Sequence, residues 1–99
     1  MGAKGLRDLF GDRKLGNESK VTSKSLYKMI KDQEFRCALS GFEISPETAA
    51  LDHKKPLALG GGNELENLQW VHRDVNTAKG MMIHDAFVEM CRRVSAWQG

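Results

Sequence analysis

Leu51-Asp52-His53-Lys54-Lys55-Pro56 opens a run that continues through Gly60-Gly61-Gly62-Asn63 and Asn67-Leu68-Gln69-Trp70-Val71-His72. It closes on Arg73-Asp74-Val75-Asn76-Thr77-Ala78-Lys79-Gly80. An acid and an imidazole stand side by side at the end of an apolar segment, with two asparagines beyond a glycine-rich loop. Asp52 is an anionic oxygen ligand suited to a hard divalent cation. His53 carries an imidazole able to take a proton from water. Neighbours on an extended strand face opposite sides, so the two act at one place only if the strand ends there. Pro56 and the glycines supply such an ending.

Around this centre the pattern predicts a strand over residues 49–53 and a second over residues 67–71. Residues 54–66 are too rich in Gly and Pro for regular structure and read as an ordered Ω-type loop. A helix begins near Arg73, with Asp74 in its first turn where a carboxylate suits the helix dipole, and Gly80 ends it. A last helix over residues 83–97 sets Ile83, Phe87, Met90, Val94 and Trp97 on one face, enough to pin it onto the core. Upstream, Thr22 or Ser23 caps a helix reaching residue 33, with Leu26, Met29 and Ile30 as its apolar stripe. Residues 34–39 read as a short strand ending at Ser40-Gly41, with residues 42–44 as its hairpin partner. Ser45-Pro46 starts a turn.

The 99 residues suffice for one modest core. Residues 21–99 read as that domain, and residues 1–20 as a loosely ordered arm. Four glycines and scattered Leu6, Leu9, Phe10 and Leu15 mark the arm, the first three forming one docking turn. Its positives exceed its negatives by two, the net charge of the whole chain. A flexible terminus explains it better than a DNA-contacting role. No apolar run approaches the roughly 18 residues of a membrane span, and no signal-peptide core opens the chain. A cytoplasmic location without membrane attachment is therefore expected, with Cys37 and Cys91 reduced. A net charge of +2 says little about partners, but Lys54, Lys55, Arg73 and Lys79 all fall in or beside the central run.

Asp52-His53, a proline three residues on, the glycine loop, Asn67-Leu68-Gln69, and Asn76 with Lys79-Gly80 together resemble the HNH (ββα-metal) endonucleases. The likeness covers roughly the C-terminal two thirds of the chain. It implies an α+β fold with a ββα-metal (His-Me finger) core of two antiparallel strands and a helix, flanked by helices and the short N-terminal hairpin. It further implies a metal-dependent DNA endonuclease, nicking or cutting both strands, that leaves 5′-phosphate and 3′-hydroxyl ends. Carried over by residue, His53 is the general base, and Asp52 and Asn76 ligate one divalent cation, Mg²⁺ or Mn²⁺. Asn67, nine residues before Asn76, ties the Ω loop and so orients His53. Lys79 closes the motif at a phosphate, with Lys54, Lys55 and Arg73 as further nucleic-acid contacts. Double-stranded DNA, in a phage or mobile-element setting, is the implied partner; 99 residues leave little surface for base readout, so either weak specificity or a partner protein supplying specificity is expected.

The chain departs from the family where many members hold a zinc with two Cys-x-x-Cys pairs. Those positions read Cys37-Ala38-Leu39-Ser40 and His72-Arg73-Asp74-Val75. Only Cys37 and His72 could ligate zinc, and a tetrahedral structural site needs four ligands; no structural zinc is expected. His72 itself stays open between a spare metal ligand, a phosphate contact and a strand-end residue without a role, the last preferred. His84, past Gly80 on another helix, is expected at the surface. Two other functions remain: a catalytically silent nucleic-acid-binding module of this fold, and a nuclease acting on RNA or single strands. The intact Asp52, His53 and Asn76 speak against the first; little separates the second.

Overall fold

The computed structural model describes residues 21–99; the arm over residues 1–20 and its docking turn lie outside the described residues. The described chain is a small α+β assembly of three helices and one two-stranded antiparallel sheet. Helix α1 spans Ser23–Asp32, strand β1 Ala49–His53, strand β2 Leu68–His72, helix α2 Arg73–Lys79 and helix α3 His84–Gln98. Two 3-10 turns, Leu57–Leu59 and Leu65–Asn67, give the intervening loop internal order.

Thr22 caps α1. Its hydroxyl accepts from Ser25 N–H at 3.1 Å while Ser25 Oγ accepts from Thr22 N–H at 2.8 Å, a reciprocal capping box. Leu26 and Ile30, one turn apart, are both buried. They pack with Val21, Trp70 and Val71 in the central cluster. Trp70 has no exposed surface, and its indole N–H donates to the Leu26 carbonyl at 2.9 Å, which satisfies the ring's one polar atom inside the core.

A two-stranded ribbon is not stable by itself. Here β2 packs against α1, and α2 packs against both strands. The outer edge of β2 is closed by a side chain: Gln33 Oε1 accepts from Trp70 N–H at 3.0 Å and its Nε2 donates to the Trp70 carbonyl at 2.9 Å. The register pairs Leu51 with Trp70, Asp52 with Gln69 and His53 with Leu68. Directly opposed residues share a face, so Asp52 and Gln69 stand together.

Two expectations are corrected. Residues 34–39 and 42–44 do not form a hairpin of strands; they meet in one bridge pair, Arg36 with Glu43. Glu34 and Phe35 have φ of 56° and 58°, a left-handed conformation that ends α1 and reverses the chain but is incompatible with a strand. The other correction concerns α3. Among its expected core residues only Phe87 is buried; Ile83, Met90 and Val94 are exposed, and Trp97 is 86% exposed. Periodicity tells which residues share a face, not whether anything covers that face. The cluster around Trp70 is complete without α3, which is held near its first turn by Phe87 and by His84 N–H donating to the Lys54 carbonyl at 2.8 Å.

The two tryptophans should therefore respond differently to truncation. Trp70→Ala should cost about 3–5 kcal/mol in urea unfolding. Trp97→Ala should stay within about 0.5 kcal/mol of wild type. A large loss from the second would mean that the outer half of α3 belongs to the cooperative core.

Candidate functional site

Strand β1 ends at His53, so Asp52 and His53 escape the opposite-face rule and line one cavity of about 300 Å³. Asn76, from the middle of α2, lines it too, with Pro56, Leu57 and Met81 around them. The end of a strand, the loop that leaves it and the following helix thus bring a carboxylate, an imidazole and an amide to one concavity.

His53 Nε2 lies 2.7 Å from Asn63 Oδ1. With that oxygen as acceptor the proton sits on Nε2, and Nδ1 is left bare to accept another. Asn63 comes from the glycine loop, and Asn67 holds the loop in place. Its Oδ1 accepts from Lys55 N–H at 2.9 Å, and its Nδ2 donates to the carbonyls of Lys55 at 3.0 Å and Gly62 at 2.8 Å. The enclosed chain passes so close that a Cβ at Gly61 would run into the Lys55 carbonyl. Only glycine fits there without displacing backbone.

Asp52, expected as a ligand of a divalent cation, is enclosed by the protein and does not stand open to solvent. It is 4% exposed, with Oδ1 3.0 Å from Lys79 Nζ and Oδ2 accepting from Gln69 Nε2 at 2.9 Å. Lys79 is corrected: at 1% exposure it cannot contact a phosphate, because its ammonium is committed to Asp52 and to the His53 carbonyl at 3.0 Å. The α-helical spacing that carries Lys79 one turn past Asn76 turns it inward onto the sheet. Lys54 is half-buried, while Lys55 and Arg73 are exposed. Arg73 Nη1 reaches the Glu47 carbonyl at 3.5 Å, at the opposite end of α2 from Lys79.

The donors fit a hard divalent cation in part. Among the described residues Asp52 Oδ2 accepts one hydrogen bond and Oδ1 meets the Lys79 ammonium, so each oxygen keeps a lone pair. The Asn76 amide makes no hydrogen bond among the described residues, so its oxygen is free to ligate. One carboxylate and one amide oxygen, completed by water and phosphate, are a donor set that Mg²⁺ accepts. Lys79 competes for the same carboxylate.

His72 has a role in the backbone. Its Nδ1 accepts from Asp74 N–H at 3.1 Å and so caps α2, and its ring meets Phe42 edge-on at 5.9 Å. Cys37 is buried in the core cluster, its Sγ accepting from Ser40 N–H at 3.4 Å. Burial raises its thiol pKa, but hydrogen bonds from Ser40, His72 and Leu39 outweigh that and the net shift is downward.

Three residues near the site escaped the sequence reading: Asn63, Gln69 and His84. His84 is not simply a surface residue; its Nδ1 sits 3.1 Å from Gln69 Nε2. Gln69 did leave a signal, a polar residue inside the buried run Leu68-Trp70-Val71 that must find a partner. Asn63 and His84 left none beyond their residue types. No family model, curated protein or solved structure matches the chain.

Because Asp52 and Lys79 are both enclosed, removing one leaves a buried charge alone. Lys79→Met should destabilise by about 3–5 kcal/mol, and adding Asp52→Asn should recover much of that loss. Chemical denaturation of the single and double variants checks this, and additive losses would show that the two groups are not coupled.

Proposed function

We propose that the chain is a metal-dependent DNA endonuclease of the HNH (ββα-metal) type that hydrolyses phosphodiester bonds. The observation that carries this reading is the convergence of Asp52, His53 and Asn76 on one cavity at the junction of β1, its loop and α2. A divalent cation bound between Asp52 and Asn76 would neutralise charge on the scissile phosphate and stabilise the leaving 3′ oxygen.

The chain's own residues account for the remaining chemistry. His53 Nδ1 accepts a proton from the water that attacks phosphorus, as the bond from phosphorus to the 3′ oxygen breaks. The products carry a 5′ phosphate and a 3′ hydroxyl. Asn63 fixes the imidazole tautomer. Asn67, by closing the loop on Lys55 and Gly62, keeps Asn63 beside the ring. Lys54 and Lys55, directly after the base, and Arg73 at the start of α2 supply positive charge to the nucleic-acid backbone, double-stranded DNA being the substrate proposed.

A second reading has one observation in its favour. The Lys79 ammonium already neutralises Asp52, as a catalytically silent binding module of this fold would have it. Against it stands the His53–Asn63 pair, which a module that only binds does not need. A nuclease acting on RNA or single strands would use the same residues.

Supercoiled plasmid incubated with Mn²⁺ or Mg²⁺ should be converted to nicked or linear DNA, and EDTA should stop the conversion. His53→Ala should lower the rate by about 10²–10⁴-fold while DNA affinity holds. Asn76→Ala should also lose cleavage and keep its fold, since its amide bonds nothing among the described residues. Wild-type rates in the His53 variant would remove the imidazole from the mechanism. Binding without cleavage by the wild-type chain under every metal would establish the module instead.

Salt gives an independent check. Lys54, Lys55 and Arg73 are few, and their phosphate contacts release counterions, so binding and cleavage should fall steeply between about 50 and 200 mM salt. Activity indifferent to salt would mean that these cations do not hold the nucleic acid.

A further inference from the structure

We infer that Gln69 and His84 are positioning residues for Asp52, acting through it on the divalent cation; the inference rests on the nuclease reading. Gln69 is 6% exposed in the middle of β2, directly opposite Asp52 in the register. A buried amide at this place must be hydrogen-bonded to be tolerated. Its Nε2 carries two protons. One goes to Asp52 Oδ2 at 2.9 Å, and the other meets His84 Nδ1 at 3.1 Å.

The second bond decides what the first is worth. A Gln amide held by a single bond to a carboxylate can still swing about that bond. With His84 Nδ1 as a second acceptor, turning the amide over would set Oε1 against a carboxylate oxygen and an imidazole lone pair at once. His84 therefore locks the orientation of Gln69, and Gln69 locks Oδ2 of Asp52. Lys79 holds Oδ1. The carboxylate is fixed from both sides, with its remaining lone pairs available. This arrangement also gives the short docked end of α3 a purpose. His84 is the first residue of that helix, and its backbone N–H is bonded to Lys54, the residue after the base. Partners of this kind around a ligating carboxylate typically carry 10–100-fold in metal affinity.

The test is Mn²⁺ binding by the full chain, followed by titration calorimetry and by loss of the free-ion electron paramagnetic resonance signal, with no nucleic acid present. Gln69→Leu should weaken Mn²⁺ binding by about 10–100-fold. His84→Ala should weaken it in the same direction by less. His84→Asn, which returns an acceptor oxygen near the place of Nδ1, should restore much of the affinity. That rescue is what a purely structural role would not give. His84 is 30% exposed in its side chain, so its variants keep the test open should Gln69→Leu fail to fold. Wild-type affinity in folded Gln69→Leu, or in His84→Ala, overturns the relay alone. A wild-type chain that takes up no Mn²⁺ overturns the metal reading and the relay with it.

Discussion

Lys79 and Asp52 meet 3.0 Å apart with side chains 0% and 5% exposed, and the site is built on that ion pair. Taking both charges out of water is costly, and their attraction offsets the cost only when the geometry is good and the remaining groups are satisfied. Both conditions hold: Gln69 takes the second carboxylate oxygen, and the ammonium donates again to the His53 carbonyl. One side chain thereby fastens the last residue of α2 to the last two residues of β1. The chain then has to leave the helix at once, and Gly80 turns it out at φ 53°, a conformation other residues resist.

The loop between the strands is held by a different device. Few apolar side chains fix residues 54–66; Pro56 is the only one of them that is buried. The fixing comes from Asn67, whose amide bonds three backbone groups, and from Gly61, whose missing Cβ lets the chain pass the Lys55 carbonyl. Polar closure of this sort is directional where apolar packing is not, which suits a segment whose task is to hold one imidazole by way of Asn63. The apolar core and the site are accordingly separate structures sharing β1 and β2: Trp70 and Val71 serve the first, Asp52 and Gln69 the second.

That separation explains what could be read from the sequence. Strand β1, the start of α2 and the cap of α1 were legible because each has a local signature: an apolar run ended by Pro and Gly, an N-terminal Asp74, a hydroxyl residue (Thr22 or Ser23) ahead of an apolar stripe. The motif residues Asp52, His53 and Asn76 could be named because their order along the chain is distinctive. The direction in which Lys79 faces was not legible, since a lysine after a helical turn looks the same whether it meets solvent or a buried acid. The coverage of α3 was not legible either, for an apolar stripe specifies a face but no partner. Gln69 and His84 meet across fifteen residues only after β2 and α3 have been placed. Contacts of that kind depend on the tertiary arrangement, and no local pattern announces them.

On the nuclease reading, the buried pair also sets the terms on which a cation is held. Any divalent cation accepted by Asp52 must share that carboxylate with Lys79, so three positive charges converge on one negative one. The Asn76 amide contributes a dipole but no charge, and cannot make up the difference. Such a site gains affinity for its cation when another anion arrives, and the anion that arrives during the reaction is the phosphate of the strand to be cut. Metal and nucleic acid then favour each other's binding by linkage. The ammonium, meanwhile, keeps Asp52 paired when no metal is present, so the cavity holds its shape before either ligand enters. A second carboxylate in place of Asn76 would bind metal more tightly and oppose the incoming phosphate. The amide leaves that charge for the substrate to supply.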